Sequence, residues 1–328
     1  MKARWTRVTV TMALVLATLG AIAPQAVAGV TCLGRRATII GSSGSDTITG
    51  TSRADVIVGR GGADSIAGRG GNDRICAGPD QDLLLGGPGS DRMDAGSGLD
   101  TISFYRSDNA VRANLGTGRA SGEGSDRFSN AEALEGTRRK NDELIGSGRT
   151  DFFFTWGGYD SVVGKGSGDL VFDFSGNDSF NGGSGNDLVS YFFFVQSGVT
   201  TDLLLGTSTG AGNDTFTSVE SFEGTSSDDV AAGSDAITFM FGGAGADTLN
   251  GRGGGDEVFG LGGNDTLFGE AGDDLLDGGP GTDDLDGGAD TDECINGEDV
   301  TNCESLSVMR LRALHSVPSF GALRSMGE

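Results

Sequence analysis

The sequence is poor in histidine, proline, tyrosine and tryptophan, although its many carboxylates do not by residue type exclude a glycosidase-like acid pair. It has one histidine, five prolines, three tyrosines and two tryptophans in 328 residues, and apolar residues make up only 36%. A single histidine excludes the H-E-x-x-H motif of zinc proteases. Basic residues are also scarce, since 23 Lys and Arg stand against 47 Asp and Glu, for a formal charge of −24. This surplus argues against nucleic acid and anionic membranes as partners and favours cations.

The chain has no long apolar run after its first 28 residues, so no later membrane span is predicted. Residues 1–28 have the pattern of a secretory signal peptide. A basic start precedes an apolar run over 8–23, and Ala26-Val27-Ala28 fits the A-x-A cleavage rule. A membrane anchor is the alternative, but Pro24 ends the run early. The sequence therefore predicts a secreted, extracellular protein, in surroundings where thiols oxidise.

Cysteine is rare as well, and its four copies form an even set that predicts two disulfides. Two cysteines lie near the start of the repeats described below and two lie near their end. Local pairing is therefore favoured, as Cys32–Cys76 and Cys294–Cys303. Free buried thiols remain the alternative.

Glycine, by contrast, is abundant with 60 copies, and Asp recurs at a fixed interval of nine residues in three runs. Each Asp follows a loop of small residues, such as the loop 86–91 with the sequence GGPGSD, and stands two residues before an apolar or Cys residue. The first run is Asp46, Asp55, Asp64, Asp73, Asp82, Asp91 and Asp100; the second is Asp142, Asp151, Asp160, Asp169, Asp178 and Asp187; the third is Asp247, Asp256, Asp265, Asp274, Asp283 and Asp292. Asp229 extends the third run backwards, with Thr238 at the next Asp position.

Two spacers, 103–135 and 190–222, separate the three runs and resemble each other. Val111 matches Val199, and Asp126 matches Asp214, so a block plus its spacer forms a duplicated unit of about 87 residues. Alternating apolar residues in the spacers predict additional strands.

The pattern G-G-x-G-x-D-x-U-x, in which U is apolar, resembles the secreted RTX (hemolysin-type) calcium-binding repeat family over about residues 37–295, with the spacers as interruptions. The resemblance implies a parallel β-roll, with Ca²⁺ held by Asp side chains and Gly-loop carbonyls of two successive loops on one side. The metalloprotease domain that often accompanies such repeats is not predicted in this sequence, because its single histidine does not allow the zinc motif. The family typically exports through a C-terminal signal, and the N-terminal signal predicted here departs from that.

The same arrangement follows from the residues themselves. Each nonapeptide divides into a six-residue loop and a three-residue strand with its central apolar residue pointing inward. Two nonapeptides make one coil with a strand on each of two facing sheets, so carboxylates stack in columns. Two charges about 4.8 Å apart cost on the order of 3 kcal/mol at an effective dielectric of 20. Ca²⁺ suits such oxygen ligands, and we expect a largely disordered state without it.

The sequence thus predicts an all-β, parallel β-roll (β-solenoid) of nonapeptide repeats in three blocks joined by two strand-containing spacers. The predicted division is a signal peptide at 1–28, blocks at 29–102, 136–189 and 223–295, spacers at 103–135 and 190–222, and a capping segment and tail at 296–328. The predicted calcium ligands are Asp46, Asp55, Asp64, Asp73, Asp82, Asp91, Asp100, Asp160, Asp169, Asp178, Asp187, Asp247, Asp256, Asp265, Asp274, Asp283 and Asp292.

Alternatives remain at several of these positions. The Asp residues also suit solvated turns, and the aromatic runs 152–154 and 191–194 either pack against the roll or its spacers or form an exposed binding patch. Ser208 lies in a G-x-S-x-G sequence without the strand–turn–helix context of a hydrolase, and His315 is isolated in the tail. The chain is therefore predicted to be a calcium-binding protein and not an enzyme, with a calcium-dependent extracellular adhesion or matrix protein as the alternative.

Overall fold

The described chain is built entirely of short strands and turns. The structure, a computed structural model, describes residues 29–193 and 197–303, and it contains no helix within those ranges. The predicted signal peptide, the tail with His315, and Phe194 lie outside the described residues. The described residues form a parallel β-solenoid of about 14 turns, as the sequence predicts.

The strands are mostly three to six residues long, which the nine-residue repeat requires. From the start of the chain through the first spacer they are β1 (Thr31–Cys32), β2 (Arg35–Arg36), β3 (Ile39–Ile40), β4 (Thr47–Thr49), β5 (Val56–Val58), β6 (Ser65–Ala67), β7 (Arg74–Pro79), β8 (Leu83–Leu85), β9 (Arg92–Ser97), β10 (Thr101–Ser103), β11 (Arg112–Asn114), β12 (Arg119–Ser121), β13 (Ser125–Ser129) and β14 (Ala133–Glu135). The second block and second spacer contain β15 (Glu143–Ile145), β16 (Phe152–Thr155), β17 (Ser161–Gly166), β18 (Leu170–Asp173), β19 (Ser179–Ser184), β20 (Leu188–Ser190), β21 (Thr200–Asp202), β22 (Thr207–Thr209), β23 (Asn213–Thr217) and β24 (Ser221–Glu223). The remainder are β25 (Val230–Ala232), β26 (Phe239–Ala244), β27 (Thr248–Asn250), β28 (Glu257–Gly262), β29 (Thr266–Ala271), β30 (Leu275–Asp277), β31 (Asp284–Ala289), β32 (Glu293–Ile295) and β33 (Asp299–Thr301).

Successive repeats alternate between a 13-stranded sheet and an 18-stranded sheet, and each strand within a block pairs in parallel with the strand 18 residues away. Ile48 pairs with Ile66 in one sheet, and Ile57 pairs with Ile75 in the other. The central apolar residue of each strand points between the sheets, and these side chains form one continuous buried core from Ile48 to Cys294. The core is thin, because each strand contributes one or two inward side chains.

Both spacers continue the solenoid with the same arrangement of strands. In the first, β13 pairs in parallel with β9, then β12 and β11 turn back as antiparallel neighbours, and β11 pairs in parallel with β15. In the second, β23, β22 and β21 repeat this order between β19 and β25. The matching topology agrees with the predicted duplication. The antiparallel pairings are not apparent from the repeat pattern, which is parallel throughout.

Aromatic residues of the second block occupy both faces of the 13-stranded sheet. Phe153 lies in the central core, while its neighbours Phe152 and Phe154 belong to a second buried cluster on the opposite face. Phe154 stacks on Phe172 with ring centroids 4.9 Å apart. The 152–154 run therefore packs against the solenoid, whereas Phe192 of the other aromatic run is 43% exposed.

A disulfide bond lies near each end of the described solenoid. Disulfides join Cys32 to Cys76 and Cys294 to Cys303. The first ties the initial β-hairpin to the second sheet, and the second closes the last turn over a separation of nine residues. No helix in the described ranges is long and apolar enough to cross a membrane.

Candidate metal centre: a ladder of buried aspartates

The loop before each Asp needs glycine for two different physical reasons, as the loop 86–91 shows. A Cβ atom at Gly86 would clash with Oδ2 of Asp91. Gly87 and Gly89 have φ angles of +85° and +155°, which side-chain-bearing residues rarely adopt. The loop therefore folds tightly around one carboxylate oxygen. In the G-G-x-G-x-D pattern, the first glycine is required because a side chain would not fit, and the next two are required by their positive φ angles.

One oxygen of each stacked carboxylate is held by the neighbouring turn. The backbone N–H of Asp64 donates to Oδ1 of Asp82 at 2.8 Å, and the backbone N–H of Asp82 donates to Oδ1 of Asp100 at 2.8 Å. The same 18-residue bond recurs in all three blocks. We call this chain of bonds the Asp ladder. It aligns the carboxylates in columns along the solenoid, as the sequence predicts.

The second oxygen of most ladder carboxylates is buried without a hydrogen-bond donor. These Oδ2 atoms point into the Gly-rich loops, where solvent does not reach them. A buried carboxylate oxygen without a donor is costly unless a cation neutralises it. The Asp residues in this class are Asp64, Asp73, Asp82, Asp91, Asp100, Asp160, Asp169, Asp187, Asp247, Asp256, Asp265, Asp274 and Asp283.

Burial raises the pKa values of these carboxyls. Loss of solvent raises the pKa of Asp160 and of Asp169 to about 8, and neighbouring ladder carboxylates add to the shift, although one backbone N–H bond opposes it. For the same reasons, the pKa of Asp82 and of Asp256 is about 7. Without a cation, the ladder therefore stores unfavourable electrostatic free energy at neutral pH.

The first rows of each block are different, because their loops satisfy the second oxygen internally. The backbone N–H of Thr51 donates to Oδ2 of Asp55 at 2.7 Å, and that of Thr225 donates to Oδ2 of Asp229 at 2.7 Å. Asp46, Asp142 and Asp151 accept equivalent bonds from Ser42, Thr137 and Ser147. The sequence signal is Ser or Thr after the first loop glycine. Asp46 and Asp55, both predicted ligands, are thus in a different environment from most of the other predicted ligands.

The Asp ladder continues where the nine-residue repeat is interrupted, through acidic residues that lie outside the three Asp runs. Asp126 and Asp214 accept the backbone N–H bonds of Asp91 and Asp178 at 2.9 and 3.0 Å. The backbone N–H groups at the ends of other columns donate to the carboxylates of Glu132, Glu220 and Glu298. The match between the spacers pairs Asp126 with Asp214 and Glu132 with Glu220. Glu298 lies outside both spacers, and the nine-residue interval marks none of the three Glu residues.

A third carboxylate enters the ladder at one place in the second block. Asp173 stands where other loops have the glycine that faces the ladder Asp, and a ligand oxygen from each of Asp173, Asp178 and Asp214 lies within 4.8 Å of the others. All three residues are buried. The Tyr191 hydroxyl donates to Oδ2 of Asp214 at 3.0 Å. Burial and the two neighbouring carboxyls raise the pKa of Asp173 well above its usual range.

These features fit a hard divalent cation. Ca²⁺ takes six to eight oxygen ligands, including carboxylates and backbone carbonyls. The ladder supplies donor-free carboxylate oxygens, and carbonyl oxygens of the next loop lie at the same positions: a Cβ atom at Gly164 would stand 2.6 Å from the carbonyl oxygen of Gly182. The residues present therefore suit Ca²⁺, with Asp side chains and loop carbonyls as the groups that would hold it.

Comparison with known proteins agrees with this chemistry. The family model described as the RTX calcium-binding nonapeptide repeat matches residues 40–75, 77–102, 158–189, 223–258, 232–267 and 259–294. The chain belongs to this family, and its repeats bind Ca²⁺. No curated protein matches the chain. The repeat is a structural calcium-binding unit that is not typically catalytic.

Proposed function

We propose that this is a secreted extracellular protein in which several Ca²⁺ ions, held by the Asp ladder, order the solenoid. The observation that carries the proposal is the set of buried Oδ2 atoms without hydrogen-bond donors. One such atom would be a local defect. A column of them, each enclosed by a loop that glycine allows to close, is explained by one cation between each pair of successive loops on a side.

Ligand roles differ along the ladder. Asp64 to Asp100 in the first block, Asp160 to Asp187 in the second, and Asp247 to Asp292 in the third are the proposed ligands, together with carbonyls of their loops. Asp46 and Asp55 serve mainly to close the first turns, because donors of their own loops already occupy their Oδ2 atoms. Ions bound between the remaining rows would offset the repulsion among stacked carboxylates and link folding to metal binding.

Calcium titration of the chain lacking residues 1–28 tests this proposal. Calorimetry should show binding of several ions, and far-ultraviolet circular dichroism should show strand content that rises with calcium and falls on addition of excess EDTA. Magnesium at equal concentration is the control, because it prefers a rigid octahedral site and dehydrates reluctantly. Unchanged strand content in excess EDTA would refute the proposed dependence on metal.

Secretion follows from the predicted signal peptide and has its own test. Expression of the full chain should release a protein that begins at Gly29, as N-terminal sequencing of the culture medium would show. A protein that retains residues 1–28 and stays with the cells would refute this part of the proposal.

Calcium-dependent adhesion is the second candidate function, and exposed apolar side chains of the second spacer favour it. Phe192, Leu204 and Leu205 are 43%, 53% and 73% exposed. Adhesion predicts that the chain binds cell or matrix surfaces only in calcium and that Phe192→Ser with Leu205→Ser weakens this binding. Retained surface binding by that variant would count against these residues as the contact.

A further inference from the structure

A cationic cleft interrupts the acidic surface at the first spacer. Its walls come from two segments: the Tyr105–Asp108 loop after β10, and the Arg138–Lys140 loop before β15. The cleft measures about 450 Å³ and contains four exposed basic side chains, Arg106, Arg138, Arg139 and Lys140, beside one carboxylate, Asp108. None of the four cations forms an ion pair within the described residues.

The cleft is held by internal bonds of its own loop. The backbone N–H of Lys140 donates to Oγ1 of Thr137 at 3.0 Å, and the backbone N–H of Thr137 donates to Oδ2 of Asp142. Thr137 is fully buried. On the other wall, the Tyr105 ring packs edge-on against Trp156 with centroids 4.8 Å apart. The basic side chains therefore project from an ordered loop beside a supported aromatic ring.

Charge is distributed unevenly along the solenoid, and the cleft lies in the half that contains almost all of the basic residues. Residues 29–165 contain 16 Lys and Arg and 18 Asp and Glu, whereas residues 166–303 contain one Arg and 27 Asp and Glu. Six of the 18 acidic residues in the first half are proposed calcium ligands, namely Asp64, Asp73, Asp82, Asp91, Asp100 and Asp160. If Ca²⁺ neutralises these six, 12 other acidic residues remain beside 16 basic residues, and that half becomes positive. The second half stays negative in either case.

The second spacer provides an internal comparison, because the duplicated loop does not keep these charges. Counted from the shared Gly-Thr pair, Ser226, Ser227 and Asp228 stand where the first copy has Arg138, Arg139 and Lys140. Counted from the start of the loop after the preceding strand, Phe193 stands where the first copy has Arg106. The cationic cleft is therefore a property of one copy and is not needed to build the spacer.

We propose that this cleft, defined by Tyr105, Arg106, Arg138, Arg139 and Lys140, binds a polyanionic saccharide when the ladder holds calcium. Cationic side chains recognise sulfate or carboxylate groups, and the Tyr105 ring offers the apolar contact that a sugar ring uses. Calcium acts by fixing the loops and by removing the negative field of the first half. The inference rests on the proposed calcium binding and names a partner for it.

A heparin oligosaccharide, as a defined sulfated saccharide, tests the proposal by calorimetry on the chain lacking residues 1–28. We expect binding in calcium and none in EDTA. The triple variant Arg138→Ser, Arg139→Ser and Lys140→Asp, which carries the side chains of the second copy, should bind at least about tenfold more weakly. Its slope of log affinity against log salt concentration should be smaller by about three.

The matched control carries the same charge change away from the cleft: Arg35→Ser, Arg36→Ser and Arg53→Asp, all exposed in the first turns. Equal loss of affinity in both variants would mean that the saccharide is attracted by the overall charge of this half, and would overturn the assignment of the binding site to the cleft. Equal binding of a single-stranded oligonucleotide of the same charge would overturn the saccharide class. A third outcome is that the chain does not bind the saccharide but self-associates in calcium, and that the triple variant abolishes this association. The cleft would then be a binding site for the acidic half of a second copy, and the saccharide proposal would be overturned.

Circular dichroism and calcium calorimetry in the same buffers separate this inference from the proposed function. If the chain binds calcium and folds but does not bind the saccharide, only the proposed saccharide binding by the cleft is refuted. A chain that binds no calcium refutes the proposed function, whatever the saccharide does.

Discussion

The backbone N–H of Asp73 donates to Oδ1 of Asp91 at 2.7 Å, while Oδ2 of Asp91 is buried without a donor. The two residues lie 18 positions apart, each directly before one of the adjacent strands β7 and β9. Backbone hydrogen bonding thus fixes one half of the carboxylate and leaves the other half directed into its own loop. The stacking of turns and the candidate ion sites depend on the same side chain.

A central ladder carboxylate should matter more for calcium than one at the start of a block. Asp82→Asn is expected to reduce the number of ions bound and to weaken the affected sites by at least about tenfold, since ligand charge sets calcium affinity. Asp55→Asn is the matched control, because Thr51 already donates to its Oδ2. Equal effects of the two substitutions in calorimetry would contradict the distinction between the two kinds of row.

The metal-free solenoid should lose stability as pH rises. The ladder carboxyls have unfolded pKa values near 3.8 and raised folded values, which reach about 6 at Asp73, about 7 at Asp247 and about 8 at Asp160. The folded state therefore binds more protons than the unfolded state between about pH 4 and pH 8, and the free energy of unfolding falls across that window. Urea unfolding in EDTA at pH 5 and pH 8 measures the difference; greater stability at pH 8 would contradict this sign.

The first glycine of a loop should be intolerant of a methyl group. A Cβ atom at Gly242 would clash with Oδ2 of Asp247, whereas one at Gly148 meets no atom within 4 Å. We expect Gly242→Ala to cost about 1–3 kcal/mol in the calcium-bound state and Gly148→Ala to be close to neutral. Thermal unfolding of both variants in calcium is the measurement, and indistinguishable midpoints would show that the loop is looser than the structure indicates.

The Asp173 cluster should report its own occupancy by terbium luminescence. Terbium is an oxygen-seeking ion that emits when a nearby excited aromatic ring transfers energy to it, and the Tyr191 hydroxyl lies 3.0 Å from Oδ2 of Asp214. Tyr191→Phe should remove a large part of the sensitised emission. Tyr159→Phe serves as the control because Tyr159 is 62% exposed. If the control lowers emission as much as Tyr191→Phe, the cluster is not the main sensitised site.

Sequence periodicity predicts the solenoid well for a physical reason. A nine-residue unit with one inward side chain, such as Ile57 or Ile66, has few ways to bury that side chain other than by stacking on its neighbours. The strand register then follows from the interval itself, since the partners are 18 residues apart. The parallel sheets and the Asp columns are therefore local consequences of the repeat.

Features that depend on longer-range packing were not predictable in the same way. The antiparallel strands of the spacers follow from chain reversal between two solenoid turns, for which the repeat gives no signal. Glu132 joins the ladder because its spacer brings it beside Asp100, and Asp173 joins the Asp178 carboxylate because it replaces one glycine of a loop. In each case, the role of the residue can be recognised only when its neighbours in the folded structure are known.

The most direct test of the account is calorimetric titration of calcium into the metal-free chain lacking residues 1–28, with far-ultraviolet spectra recorded at each step. The account predicts that several ions bind and that strand content increases with occupancy. A chain that keeps full strand content after metal removal and releases no heat on calcium addition would contradict it.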